Sequence, residues 1–231
     1  MGDALSEFDG QLLDGLDFCA RTYALFESVR AQEGGVERLR VRTGIVEKRL
    51  LEELLPICRY VQTYYRLGRY ISVKWVNGSQ SYDAELHQSG EYVSQGFTPP
   101  VAYLEATCAM HPNEHWIGKL LNAGKPAFAP EGISKEKGRD VESEPIAFSG
   151  NEHLLRFAPI VQSLIEKKSG IAYPEHTSLV VQCHLNTLYT LEDWRELTFI
   201  VERAVRSTPF QEVLLFDGVT ERAVPLALQR S

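Results

Sequence analysis

Long apolar runs are missing from this chain. No stretch approaches the roughly 20 consecutive apolar residues that cross a bilayer as a helix. The first residues, Met1-Gly2-Asp3-Ala4-Leu5-Ser6-Glu7, lack the basic start and apolar stretch of a signal peptide, so the expected location is cytoplasmic, with no membrane partner. Cysteine is sparse and scattered. Cys19, Cys58, Cys108 and Cys183 form no Cys-x-x-Cys pair, which excludes a zinc ribbon and a thioredoxin-like motif. Positive charge is also short. A net charge of −7 excludes a protein that coats nucleic acid through bulk charge, and leaves only a local basic face for meeting phosphates. Gly-x-x-x-x-Gly-Lys-Ser/Thr, Gly-x-Gly-x-x-Gly and Gly-x-Ser-x-Gly are all absent, so P-loop hydrolysis, dinucleotide redox chemistry and α/β-hydrolase catalysis have no support. There is no internal repeat and no low-complexity tract.

What is present suits a globular domain. With 44% apolar and 24% charged residues over 231 positions, the chain can build a core and a solvated surface, as one domain with a peripheral addition. The first third reads as helices. Leu12, Leu13, Leu16, Cys19, Ala20, Tyr23, Ala24 and Phe26 recur mostly at steps of three and four. A Gly34-Gly35 break follows, and a second helix starts near Thr43 or Gly44, with Pro56 expected to kink or split it and Gly68 to close it.

The period then changes. Tyr70 to Val76 is rich in β-branched and aromatic residues, and Asn77-Gly78 is a hairpin-turn signal leading to a return strand over Ser81 to His87. A third strand spans Val101 to Ala109, and a helix opens at His111-Pro112-Asn113-Glu114 and runs through Leu121. From Asn122 to Asn151 periodicity fades into a long inserted loop carrying Lys135-Glu136-Lys137-Gly138-Arg139. Beyond it come a helix over Glu152 to Lys168, a strand over Leu179 to Leu185, a helix over Leu191 to Val205 and a strand over Glu212 to Phe216. This order implies an α/β domain with a mixed central sheet of about five strands flanked by helices. Residues 1–42 would be an N-terminal helical extension, 43–217 the core and 218–231 a tail.

Two strand segments carry carboxylates: Tyr82-Asp83-Ala84-Glu85-Leu86 and Ala102-Tyr103-Leu104-Glu105-Ala106-Thr107-Cys108. Residues two apart on a strand face the same way, so Asp83 pairs with Glu85 and Glu105 with Thr107. If the strands are neighbours in register, Asp83 and Glu105 stand side by side. Two such acids repel and shift each other's titration. A Mg²⁺ ion between them relieves the repulsion, and magnesium takes a few carboxylates with water and phosphate oxygens.

The segment order with this acid pair resembles the restriction-endonuclease-like, or PD-(D/E)xK, superfamily over roughly residues 43 to 217. The resemblance implies a metal-dependent nuclease, with Asp83 and Glu105 as catalytic metal ligands and nucleic acid as partner. Thr107 stands where the family has its lysine, and Tyr82 where it has a loose proline. Lys119, in the helix after the third strand, or Lys74, on the first strand, would supply the missing cation. An acid of the preceding helix often completes such sites, and Glu47 or Glu52 would fill that role. Because a threonine hydroxyl is neutral, a second expectation stays open: a non-catalytic binding or assembly module that keeps this fold and takes a protein partner.

His111-Pro112-Asn113-Glu114-His115 matches the H-x-x-E-H pattern of one zinc peptidase class. Pro112 puts His111 at or before the helix cap, so the two rings need not share a helical face. A helix start, with Glu114 in the first turn, is the alternative, and His111 or His115 would then line the same cleft as the acids. His184 and Asn186 end a buried-looking strand. Tyr60, Tyr64, Tyr65 and Tyr70, interleaved with Arg59, Arg66 and Arg69, read either as a base-stacking surface or as core tyrosines beneath a charged helix face.

Overall fold

Every side chain of Leu179-Val180-Val181 is buried, and the three divide between two cores. Val180 joins one core, while Leu179 and Val181 join the other. Such a strand is covered by helices on both faces, and this requirement organises the chain. The structure, a computed structural model, describes residues 4–135, 140–185, 190–220 and 222–230. Asn186 and residues 136–139 lie outside the described residues.

The order of elements is β1 (Leu12–Asp14), α1 (Gly15–Arg30), α2 (Gly35–Val41) and α3 (Ile45–Arg49), which runs through a π-helical turn, Leu50–Leu54, into α4 (Leu55–Tyr64). Then come β2 (Tyr70–Trp75), β3 (Ala84–Ser89), α5 (Glu91–Ser94), β4 (Val101–Ala109) and α6 (Glu114–Asn122). A small ribbon of β5 (Ile133–Ser134) and β6 (Glu142–Ser143) precedes α7 (Glu152–Ser169) and β7 (Thr177–Cys183). The chain closes with α8 (Leu191–Ala204), β8 (Ser207–Thr208), β9 (Val213–Asp217), β10 (Ala223–Pro225) and β11 (Gln229–Arg230).

The central sheet is mixed and seven-stranded, in the order β1-β2-β3-β4-β7-β9-β10. From β1 to β4 neighbours are antiparallel; β4, β7 and β9 are parallel, and β10 returns antiparallel. One face, with Ile71, Val73, Trp75, Leu86 and Leu104, packs under α1 and α4. The other, with Leu179, Val181 and Leu215, packs under α7 and α8.

The sheet is wider than the five strands expected, for two local reasons. Leu12 and Leu13 fit a helical period with Leu16, yet Leu12–Asp14 is an edge strand paired with β2. The helix starts only after Asp14, whose carboxylate accepts the Leu16 N–H as an N-cap. The N-terminal segment therefore adds a strand, and its Phe8 and Phe18 enter the main core. At the other end β10 lies within the stretch read as a tail. The Asn77-Gly78 signal does not make a two-residue hairpin, because β2 ends at Trp75 and β3 begins at Ala84. Pro56 does not end the helix, which runs on to Tyr64. Lacking an N–H, it follows a π turn in which the Leu55 N–H reaches back to the Leu50 carbonyl.

Candidate functional site

β3 and β4 pair from Ala84↔Leu104 onward, and one further step in that register sets Asp83 opposite Glu105. There β3 ends. The Asp83 N–H still donates to the Leu104 carbonyl (2.8 Å), and its Oδ2 accepts the Ala106 N–H of β4 (2.8 Å). The Asp83 carboxylate thus caps an N–H of β4 that no longer has a strand partner, which fixes it beside Glu105.

Two groups from elsewhere in the chain complete the cluster. Glu53, in the π-helical turn, is only 8% exposed. Its Oε2 accepts the indole N–H of Trp75 (3.0 Å), and its Oε1 accepts from Arg49. Trp75 sits opposite Ala84 in the β2–β3 register, so this bond draws Glu53 to the strand end that carries Asp83. Lys168, in the last turn of α7, forms an ion pair with the buried carboxylate of Glu105.

The electrostatics follow from this crowding. Burial, then the negative charge of Glu105, then that of Glu53, raise the Asp83 carboxyl to about 7, against the pull of the Ala106 N–H and Lys168. Burial also raises Glu105, while its bond to Lys168 opposes the rise. Tyr173 stands in the same field: burial, then Glu105 and Asp83, push its phenol up, and its buried hydroxyl has no hydrogen-bond partner.

The other residues singled out in the sequence are engaged elsewhere. Glu85 pairs with Lys74 across β2–β3 (3.7 Å) and with His87 (2.5 Å). Lys119 places its ammonium 4.4 Å from the centre of the Trp116 ring. Glu47 is buried against Arg38 (2.8 Å), and Glu52 accepts from Arg42 (3.0 Å). Thr107 shares the Glu105 face of β4 and brings no cation there; the cation that reaches the acids comes from α7. His111 precedes the helix and accepts the Asn113 N–H through Nδ1, while His115 contacts the Pro112 carbonyl. Among the described residues no three His, Cys, Asp or Glu side chains converge as a ready metal cage. Of the tyrosine–arginine stretch, Tyr60 and Arg69 are buried, and Arg69 lies over the Tyr64 ring while bonding Gln88. That part is core.

Sequence reasoning passed over Glu53, Lys168 and Tyr173. Only Glu53 had a local signal, since it falls at helical spacing between Leu50 and Ile57, both fully buried.

No protein-family model, no curated protein and no solved structure matches the chain. Its class is therefore stated by architecture: a mixed α/β protein with a seven-stranded sheet, helices on both faces and an acid cluster where β3 leaves β4. No described helix is long and apolar enough to cross a membrane.

Proposed function

We propose that the chain is a nuclease-like domain of restriction-endonuclease-like fold, acting on nucleic-acid phosphodiesters with a divalent metal ion. The observation that carries this reading is the ion pair of Lys168 with Glu105 beside the partly buried Asp83 carboxyl. It supplies two acids and a cation in one place although the strand has threonine at position 107. The element order supports it: an antiparallel β2–β3–β4 meander followed by helix-linked parallel β7 and β9.

The donor chemistry fits Mg²⁺. Asp83 and Glu105 would hold it through oxygen alone, with water and phosphate oxygens completing the shell, as this ion prefers. The Asp83 carboxyl is raised first by burial and then by the charges of Glu105 and Glu53, and a cation would relieve the charge part of that rise. When bound, the ion supplies an activated water and stabilises charge on the phosphodiester. Glu53, held by Trp75 and Arg49, keeps negative potential behind the pair. Lys168 orients Glu105 and sets a positive charge where a phosphate oxygen would lie.

The test is cleavage of single-stranded and duplex DNA and of RNA with Mg²⁺ or Mn²⁺, abolished by Asp83→Asn and by Glu105→Gln. Absence of cleavage on every substrate, together with no metal-induced thermal shift, overturns the reading.

One feature favours a second reading, a non-catalytic binding or assembly module that takes a protein partner: Lys168 already neutralises Glu105 without any metal. Under it, Asp83→Ala and Glu105→Ala leave the biological activity intact.

A further inference from the structure

A cavity of about 570 Å³ opens between α2, α3 and α6, at the end of the sheet where β4 and β7 finish. That volume is within the range of about 300–1,000 Å³ that small-molecule sites occupy. Its apolar walls are Leu39 and Leu51 on one side and Ile117 and Leu121 of α6 on the other. Its polar groups are Arg40, Arg42, Lys48, Glu52, Glu114, His115 and His184. Glu52 of the cavity and Glu53 of the acid cluster are consecutive residues of the π-helical turn, and the two sites share no side chain.

Arg42 is the organising residue. It ends α2 in the left-handed region, with φ 51°, which costs a side-chain-bearing residue energy and is held only where the surroundings impose it. Its guanidinium donates to Glu52 (3.0 Å) and to Nε2 of His184 (2.9 Å). Because arginine can only donate, that imidazole nitrogen accepts. Burial, and then Arg42 itself, lower His184 to about 4, so the ring stays neutral beside the guanidinium.

The same cavity holds an unmatched group. Glu114 has a buried carboxyl oxygen, Oε2, with no hydrogen-bond partner, and burial raises its pKa. An unsatisfied buried acceptor costs about 1–3 kcal/mol, so a ligand that offers it a donor removes that cost. Simple anions do not qualify, since they would set negative charge against Glu114. Purely apolar molecules would leave the Glu114 Oε2 without a donor. The fitting ligand is flat enough for the apolar walls, carries donor and acceptor groups on one edge, and ends in an anion for Arg40 and the exposed Lys48.

We propose that this cavity binds a nucleotide unit, with the base between the apolar walls and its edge on Glu114 and Arg42, and the phosphate at Arg40 and Lys48. The proposal rests on the nuclease reading only in taking this unit to be part of the substrate. The base is a free mononucleotide or one unit of a strand entering the acid cluster.

The experiment is calorimetric titration of the Glu105→Gln protein, which cannot cleave, with AMP, GMP, CMP and UMP, with a five-nucleotide DNA strand, and with inorganic phosphate. Saturable binding of mononucleotides assigns a free-nucleotide site, and binding of the strand alone assigns a substrate subsite; either result supports the proposal. Lys48→Ala, at an exposed position, weakens binding about tenfold, the loss expected of one charge-assisted contact. Glu114→Gln changes the order of preference among the bases. If no nucleotide or strand binds, if phosphate competes as well as the nucleotides, or if neither variant alters binding, the proposal is overturned. Binding in this background is independent of cleavage, so a failed nuclease reading and a failed pocket are told apart.

Discussion

The ammonium of Lys168 meets the carboxylate of Glu105 across 63 residues of chain. The strand that carries Glu105 has only Thr107 where a cation would serve it, and the end of α7 delivers the charge instead. Lys168 keeps 23% of its side-chain exposure and Glu105 only 9%, so the pair is buried mainly on the acid side.

Removing one partner of such a pair strands the other. Lys168→Met is expected to destabilise the protein by about 3 kcal/mol, because Glu105 is left charged and buried. The double variant Lys168→Met with Glu105→Leu recovers most of that loss. On the nuclease reading Lys168→Met also lowers turnover by about 10²–10³-fold, the usual effect of deleting one charge-stabilising group. Lys119→Met and Lys74→Met keep near-normal turnover, since these ammonium groups serve Trp116 and Glu85. Denaturant titration and cleavage rates on the same four proteins check both halves.

Asp83 makes stability depend on pH in an unusual direction. Its carboxyl is raised in the folded state from 3.8 to about 7, so between those values the folded protein holds a proton that the unfolded chain has released. Stability contributed by this group is therefore present at low pH and lost as pH rises through about 7. Glu105, raised by burial, adds to the same trend. Asp83→Asn is expected to flatten the slope and raise Tm at pH 8, by about 2–4 °C per kcal/mol recovered. On the nuclease reading, Mg²⁺ is expected to raise Tm of the parent at pH 8 and not that of Asp83→Asn. Scanning calorimetry at pH 5 and pH 8, with and without Mg²⁺, reads both effects.

Tyr173 separates a site role from a structural one. Its hydroxyl is buried without a partner, and its ring packs on Phe210 with 4.9 Å between centroids. Tyr173→Phe keeps the ring and removes only the unsatisfied group, so stability is expected to hold or to rise by up to about 1 kcal/mol. If the phenol donates to a phosphate oxygen beside Asp83 and Glu105, turnover falls about tenfold with KM little changed. A drop in stability with unchanged turnover would place the hydroxyl in the scaffold instead.

Much of this arrangement is legible in the residues, and the remainder has a physical reason for being hidden. The β4 strand reads directly as Val101 to Ala109, a run of apolar and β-forming residues between Pro100 and the His111-Pro112 helix start. The register of Asp83 with Glu105 follows from strand neighbours that are also neighbours in sequence. Glu53 was hidden by chemistry: a glutamate in an apolar stripe reads as surface, and only the Trp75 indole shows why it is inside. Lys168 had no local signal at all. A lysine at a helix C-terminus is ordinary, and only the crossover from β4 through α7 to β7 turns it toward Glu105. Leu12 and Leu13 illustrate a different limit, since a three-residue strand beside a helix fits either period.

Gly118 ties the fold to the cavity. It lies inside α6, where glycine costs about 1 kcal/mol relative to alanine, so its presence calls for a reason. A Cβ there would stand 2.9 Å from the Arg40 carbonyl oxygen and 3.1 Å from Cγ1 of Val41. Helix α6 therefore lies against the end of α2, at the turn that holds Arg42 in its left-handed conformation. Gly118→Ala would gain helix propensity and lose this contact, and the clash with backbone should dominate at about 1–3 kcal/mol. The expected result is a lower Tm, by about 2–4 °C per kcal/mol, together with weaker nucleotide binding as α2 moves and Arg42 leaves Glu52 and His184. Gly170→Ala serves as the comparison, because a Cβ there meets only the Lys167 carbonyl oxygen at 3.5 Å. A higher Tm for Gly118→Ala would mean that α2 and α6 do not touch at this point, and the cavity between them would lose its floor.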